Sequence, residues 1–463
     1  IKAVSPQAPV TDEFIGDDAN HNGAFFLLDN FDFDNFFDVK RPEPLKNYGG
    51  DIFRVHYADA YQFFMDLGPL KNSNNAEYFN NQGKIWNEYL AGSTYDDYWQ
   101  SRNIRPHLKN IRPATLEVGG WFDAEDMFGS LRTYEAIEKQ TPDNDNHIIM
   151  GPWTHGGWAA GSWTRFGILD FGQNVNDYYR KMETAFFNRY LTPSVTAAAA
   201  IASPSLPEAM IFETGTNEWK TYSVWPPAQA KPTKFLLEPK FGLTGPGPLL
   251  SPVAGSSANR DATTINTSPS ADYDEYMSDP AHPVPYVDGI HERRDNQYIV
   301  TDQRFAAERS DVLSYQTNPL SADLTVTGRL RPDIWLSSTG SDADLIVKLI
   351  DVYPDTSAYP GYQRLVRAEV FRCKFRNSYE KPEPLVPGQP TEIEFNMNEI
   401  AHCFRKGHRI MLQLQSSWFP LVDLNPQKFV NIPTADGSDF QKATIRIWHD
   451  AEHPSGITLP VMP

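Results

Sequence analysis

Asp123, Glu125 and Asp126 stand together in Gly119-Gly120-Trp121-Phe122-Asp123-Ala124-Glu125-Asp126, and His155 follows in Trp153-Thr154-His155-Gly156-Gly157-Trp158. A histidine in such a Gly-rich, Trp-flanked loop can act as a general base near neutral pH. A carboxylate beside it would accept the imidazole N–H, fix its tautomer and stabilise the imidazolium. The plainer reading makes His155 a packed loop histidine and Asp123 a helix N-cap, with Glu125 and Asp126 as first-turn acids at the positive end of the helix dipole. Three carboxylates within four residues exceed what one cap requires. Their summed negative potential beside a histidine would attract and orient an ammonium group. Asp17 and Asp18, in Ile15-Gly16-Asp17-Asp18, are further acids able to reach the same pocket. A turn is the bland alternative there, and a calcium loop a weaker one, because the Asp-x-Asp-x-Asp-Gly pattern is missing. No metal or cofactor site is read from these residues.

An acid and a base imply a nucleophile, yet the chain contains no Gly-x-Ser-x-Gly elbow. The nearest look-alike, Ala254-Gly255-Ser256-Ser257, lies in a polar loop, and Ser5 sits in an opening strand where it would lie flat in a sheet. The serine is therefore expected upstream of Ile1, on an N-terminal segment of the same protein that would partner this one.

The elements that must position these side chains are legible in outline. Lys2 to Val10 reads as a short buried strand, and Pro113 to Gly120 as a second one ending in a tight Gly-Gly turn. A helix follows with Met127, Leu131 and Tyr134 on one face, stopping before Thr141-Pro142-Asp143-Asn144. His147 to Pro152 is a third strand leading into the histidine loop. The helix Asp177 to Leu191 closes the unit, with Tyr178, Met182, Ala185, Phe186 and Tyr190 inward. Strand–helix–strand–helix order implies a parallel sheet with its chemistry at the carboxyl edge.

Between the first two strands, Thr11 to Asn110 is aromatic-rich and polar, with helical spacing at 58–64 and 84–90, the form of a cap inserted into an α/β fold. Thr192 to Pro207 is low in complexity and reads as a linker. Beyond it short strand-like runs recur, among them Met210-Ile211-Phe212-Glu213, Leu345 to Ile350 and His408 to Leu414, separated by Pro, Gly and Asp turns. That pattern is an antiparallel β-sandwich, interrupted by a Ser/Ala-rich loop at 251–270.

Composition narrows the partners. At 463 residues two or three domains are expected, and 40% hydrophobic content is ample for packed cores. The formal charge of −18 repels nucleic acid and anionic membranes, and suits a cationic or zwitterionic small molecule better. No apolar run approaches the ~20 residues that span a bilayer. Two cysteines, Cys373 and Cys403, exclude a disulfide framework, and whether they pair stays open.

At these residues the chain resembles the α-amino acid ester hydrolases, serine enzymes of the wider cocaine-esterase-like and X-prolyl dipeptidyl peptidase group. The likeness passes through Pro9-Val10-Thr11-Asp12, Gly16-Asp17-Asp18 and Gly23-Ala24-Phe25. It ends in Ser338-Thr339-Gly340-Ser341-Asp342-Ala343-Asp344, Lys348 to Pro354 and Gly407-His408-Arg409-Ile410, which are similar to a jelly-roll signature of the superfamily. The resemblance implies an α/β plus all-β architecture. The C-terminal part of an α/β-hydrolase domain (1–11 and 111–200) carries an inserted helical cap (12–110) and is followed by a jelly-roll β-sandwich (201–463). It implies Asp123 as triad acid, His155 as base, and Asp18, Glu125 and Asp126 as the ammonium-binding cluster, with Asp17 as the alternative to Asp18. It implies acyl transfer from esters and amides of α-amino acids, β-lactam antibiotics with an α-amino side chain included, in a periplasmic or secreted protein that self-associates. The alternatives on the same fold are a cocaine-esterase-like esterase, a glutaryl-type acylase or an X-prolyl dipeptidyl peptidase. A non-catalytic jelly-roll protein binding carbohydrate or peptide is the alternative from another class.

Overall fold

In the computed structural model, residues 1–41, 43–44, 50–192, 206–245 and 272–463 are described. Most of the 192–207 stretch and the 251–270 loop lie outside them. No helix among the described residues is long and apolar enough to cross a membrane.

Five strands form the first sheet: β1 (Ala3–Val4), β2 (Ala114–Gly120), β3 (Asn146–Gly151), β4 (Ala209–Glu213) and β5 (Glu218–Tyr222), in that spatial order. β1 to β4 run parallel, and β5 returns antiparallel on β4. Every residue of β2 and β3 is buried, as a parallel sheet covered on both faces requires. The opening strand is much shorter than the expected Lys2–Val10. Only two residues pair regularly, and a single bridge from Gln7 to Val118 extends it.

Helix α5 (Met127–Gln140) covers one face and α6 (Val175–Leu191) the other. On the α5 side, the Ser130 hydroxyl donates to the Val118 carbonyl and the Asn146 amide to the Tyr134 carbonyl. On the α6 side, His147 meets the Phe186 ring. Of the expected inward α6 residues Phe186 is fully buried and Tyr178, Met182 and Tyr190 pack at the edge of the core, while Tyr179, not expected inward, is buried against Trp153. Gly119 and Gly120 are not a turn but the last residues of β2. A Cβ on Gly119 would stand 2.7 Å from Ser130, and one on Gly120 would stand 2.2 Å from the Trp153 carbonyl oxygen. These glycines let α5 and the histidine loop sit flush on the sheet.

The insertion between β1 and β2 carries helices α1 (Leu27–Phe37), α2 (Ala60–Leu67), α3 (Lys84–Ala91) and α4 (Asp97–Arg102). Their aromatic residues form one nucleus: Phe31 contacts Phe53, Phe63, Phe64, Tyr78, Phe79 and Trp86.

The remaining strands build the jelly-roll sandwich. At its centre β6 (Asp344–Val352) lies antiparallel between β7 (Gln363–Arg372) and β8 (Arg409–Gln415). Leu345, Val347 and Leu349 point into the sandwich core, while Ile346 joins the core shared with the first sheet. Burial on both faces explains the unbroken apolar run. Lys348, on the same side as Ile346, is fully buried, donates to Gln303 Oε1, and is held down to about 7 by desolvation. Met210 to Glu213, expected to open the sandwich, pairs instead as β4 beside β3, so the first sheet extends to Tyr222. A short apolar run carries no mark of parallel or antiparallel pairing, which is why periodicity misplaced it. Cys373 and Cys403 are both buried free thiols.

Candidate active site

β2 and β3 end side by side, and the chain beyond each is tied to the other. Trp121 N donates to the Gly151 carbonyl at 2.8 Å and Phe122 N to the Trp153 carbonyl at 2.9 Å. Asp123 then accepts the backbone N–H of Glu125 (2.9 Å) and Asp126 (3.1 Å) on Oδ1, a side-chain turn just ahead of α5, whose N-cap position is held by Asp126. Its other oxygen, Oδ2, makes no protein hydrogen bond of standard geometry and stands 3.2 Å from His155 Nδ1. One Asp123 oxygen thus holds the backbone of the loop and the other faces the imidazole.

The histidine loop is fixed by α6. Asn176 in its first turn accepts from Trp153 Nε1 at 2.6 Å and donates to the carbonyls of Gly157 and Ala160. Gly156, with φ +73°, supplies the left-handed residue that turns the chain directly after His155. The His155 side chain is 46% exposed, with its Nδ1 turned toward the acids and Nε2 therefore directed away from them.

Three carboxylates meet on that one nitrogen: Asp123 at 3.2 Å, Asp126 at 3.4 Å and Glu125 at 3.6 Å. Ligand atoms of Glu125, Asp126 and His155 lie within 4.8 Å of one another, a spacing that would also suit a cation. Asp18 completes the group: it raises Asp126 and feels His155 and Glu125 in turn. Its backbone has φ +30°, a left-handed conformation that Asp tolerates better than most residues. Asp17 does something else. It is fully buried and accepts from Thr11 N, Thr11 Oγ1, Asp12 N and Gly129 N, so it is a scaffold tying the start of the cap to α5. Hydrogen bonding thus accounts for Asp17 as a brace, while Asp18 feels the charges of Glu125 and His155.

Charge is unevenly matched. Hydrogen bonding to Asp123, working against burial, raises His155 to about 9, with the charges of Asp123, Glu125 and Asp18 adding to it. Burial, then Asp18, Asp17, Asp123 and Glu125, push Asp126 up to about 10. Burial and the neighbouring Asp17 and Glu125 push Asp18 to about 7. Four carboxyls face two cations, and burial among like charges favours the protonated form of Asp126.

The second cation is Arg294, which sequence reasoning missed. Its Nη2 pairs with Glu125 Oε1, its Nη1 lies 2.5 Å from Asp29 on α1, and its Nε donates to Asn296 at 3.0 Å. Arg367 on β7 donates to the Trp121 carbonyl at 3.0 Å, directly behind the acid loop. Glu125 is therefore shared between His155 and an arginine. The sequence offered only the pair Arg293-Arg294, with nothing to say where it would land. Ser5, the strand serine, donates to the Leu116 carbonyl, and the Ala254–Ser257 look-alike lies outside the described residues. A wide cleft of about 760 Å³, lined by Arg105, Phe128, Arg132 and Tyr379, contains none of the candidate residues.

Residues 1–157 match the family described as X-Pro dipeptidyl-peptidase (S15 family), and residues 203–458 match the X-Pro dipeptidyl-peptidase C-terminal non-catalytic domain. A cocaine esterase from Rhodococcus sp. (strain MB1 Bresler) is 30% identical over 368 residues, covering 79% of this chain and 59% of that protein. The chain spans between half and three fifths of the length of the curated relatives it matches. Among solved structures, an aminopeptidase from the marine sediment archaeon Thaumarchaeota archaeon superposes with TM-score 0.86 at 32% identity, covering all of this chain and 72% of its own. An α-amino acid ester hydrolase superposes equally well, with TM-score 0.86 at 32% identity over all of this chain and 73% of its own.

Proposed function

The chain belongs to the X-Pro dipeptidyl-peptidase (S15) family, and from that premise we propose that it carries the acid, the base and the amine-binding cluster of a serine hydrolase for esters and amides of α-amino acids. The observation that supports this most is the meeting of Asp123 Oδ2 with His155 Nδ1 inside a group of further acids. With Nδ1 held by Asp123, Nε2 is the nitrogen left to take a proton from a serine and return it to the leaving group. That serine is proposed to lie upstream of Ile1. Once His155 has given up its charge, the acids need another cation, and the α-ammonium of an aminoacyl substrate is one of the right size. Asp18, Glu125 and Asp126 are proposed to hold it. β-Lactam antibiotics with an α-amino side chain fall within the same substrate chemistry.

The resemblance to an aminopeptidase favours a second reading, cleavage of a peptide bond after a free N-terminal residue, which uses the same amine contact. Comparing phenylglycine methyl ester, phenylglycine amide and the des-amino ester on the native protein tests both. Faster turnover of the amino ester than of its des-amino analogue supports the amine-binding reading. Equal rates on the two esters would refute it, and preference for the amide over the ester would select the peptidase.

A further inference from the structure

Arg294 is the one charged group through which the C-terminal domain touches the acid cluster among the described residues. It lies within residues 203–458, the part that matches a domain described as non-catalytic. Its side chain is only 12% exposed, and all three guanidinium nitrogens are engaged: Nε by Asn296, Nη1 by Asp29 of the cap, and Nη2 by Glu125 of the core. Glu125 in turn spends one oxygen on Arg294 and directs the other at His155 Nδ1, 3.6 Å away. Three parts of the molecule thus converge on one cation, and a carboxylate hands its influence to the imidazole.

We propose that Arg294 is a positioning residue by which the C-terminal domain sets the charge of the acid cluster, and with it the protonation of His155 and the cluster's hold on a substrate ammonium. A guanidinium suits the task because its planar fork reaches two carboxylates on separate elements at once, which an ammonium group on a flexible stem does not. Without it Glu125 would be free to compete with Asp123 for the imidazole nitrogen, and the acids would share a single cation. Asp29 is the counterweight: it occupies half of the fork and tempers the charge that Glu125 receives. Asp123, Glu125 and Asp126 from the loop after β2 face His155 directly, Asp18 at the opening of the cap adds its charge, and Arg294, paired with Asp29, touches the group through Glu125. The substrate half of the proposal rests on the aminoacyl-hydrolase reading above, whereas the control of His155 does not.

The two partners of the fork give opposite signs. Removing the cation raises the proton affinity of everything around it, and removing Asp29 leaves more positive charge facing Glu125. In Arg294→Met the imidazole of His155, followed by NMR on histidine-labelled full-length chain, should titrate about half to one pH unit higher than in the unaltered protein. Asp29→Asn should move it the other way, and Arg294→Lys should restore most of the original midpoint. In the native enzyme, Arg294→Met should also change the amino to des-amino ratio of kcat/KM several-fold. A midpoint that stays put in folded Arg294→Met and Asp29→Asn, or moves in the same direction in both, overturns the proposal. Should Arg294→Met not fold, Asp29→Asn and Arg294→Lys decide it alone. If the native protein cleaves neither ester, the functional reading fails, while the titrations still decide whether Arg294 governs His155.

Discussion

Replacing Asp123 by asparagine changes one atom of the side chain and separates its two duties. The asparagine oxygen can still accept the N–H groups of Glu125 and Asp126 that Oδ1 accepts now, so the loop should keep its shape. What is lost is the negative charge 3.2 Å from His155 Nδ1. His155 is 46% exposed, so the attraction is screened. At an effective dielectric of about 40 to 80 a unit charge at that distance is worth about 1.3–2.6 kcal/mol, or about one to two pH units. The imidazole that titrates at about 9 should then titrate at about 7 to 8. The asparagine NH₂ turned toward Nδ1 would also place the ring proton on Nε2, the nitrogen required to receive one. Turnover of an amino ester should therefore fall by about four orders of magnitude even at a pH where His155 is neutral. Histidine-labelled NMR follows the titration and a spectrophotometric ester assay the turnover. A folded Asp123→Asn protein whose His155 still titrates near 9, or whose turnover stays within tenfold, would refute the pairing of these residues.

Two further outcomes test the setting of the site. Asp126 binds its proton up to about 10 in the folded chain, against 3.8 for the ordinary residue, because it is buried among other acids. That raised value contributes stability below pH 4 which is lost progressively as pH rises toward 10. Asp126→Asn removes this contribution, so thermal melts between pH 5 and 9 should decline less steeply than in the unaltered protein; parallel declines would show that Asp126 is ionised. In Gly129→Ala the new Cβ would come within 1.7 Å of the Pro9 carbonyl oxygen, a backbone atom that can yield only if α5 moves. A loss of about 3 kcal/mol in denaturant unfolding is expected, with Gly161→Ala, which meets nothing within 4 Å, as the neutral control.

What the sequence made legible followed from strong local signals. β2, β3 and α5 are long, apolar and bounded by glycine, proline and a turn cluster, so their limits were readable to within a residue or two. That Asp123 and His155 would meet was readable because each lies in the loop that follows such a strand. Local pattern was silent where tertiary contact decides. Gly119 and Gly120 look like a turn in sequence, yet they serve close packing against Ser130 and Trp153. Met210 to Glu213 looks like any short sandwich strand until a partner is known. That Asp17 meets backbone donors is information carried in part by Gly129, more than a hundred residues away. Arg294 lies 169 positions from Glu125, and no spacing rule links them.

Arg367 behind Trp121 and Arg294 beside Glu125 mean that the acid loop takes a backbone contact and a countercharge from two separate segments of the C-terminal domain. Chimeras between relatives are usually cut at domain borders. Here such a cut would pair an acid loop from one parent with foreign arginines, and the hybrid could fold while its imidazole titrates in the wrong range. Grafts that carry the 285–300 turn and β7 together with the loop after β2 should keep the parental pH profile, whichever sandwich they are mounted on.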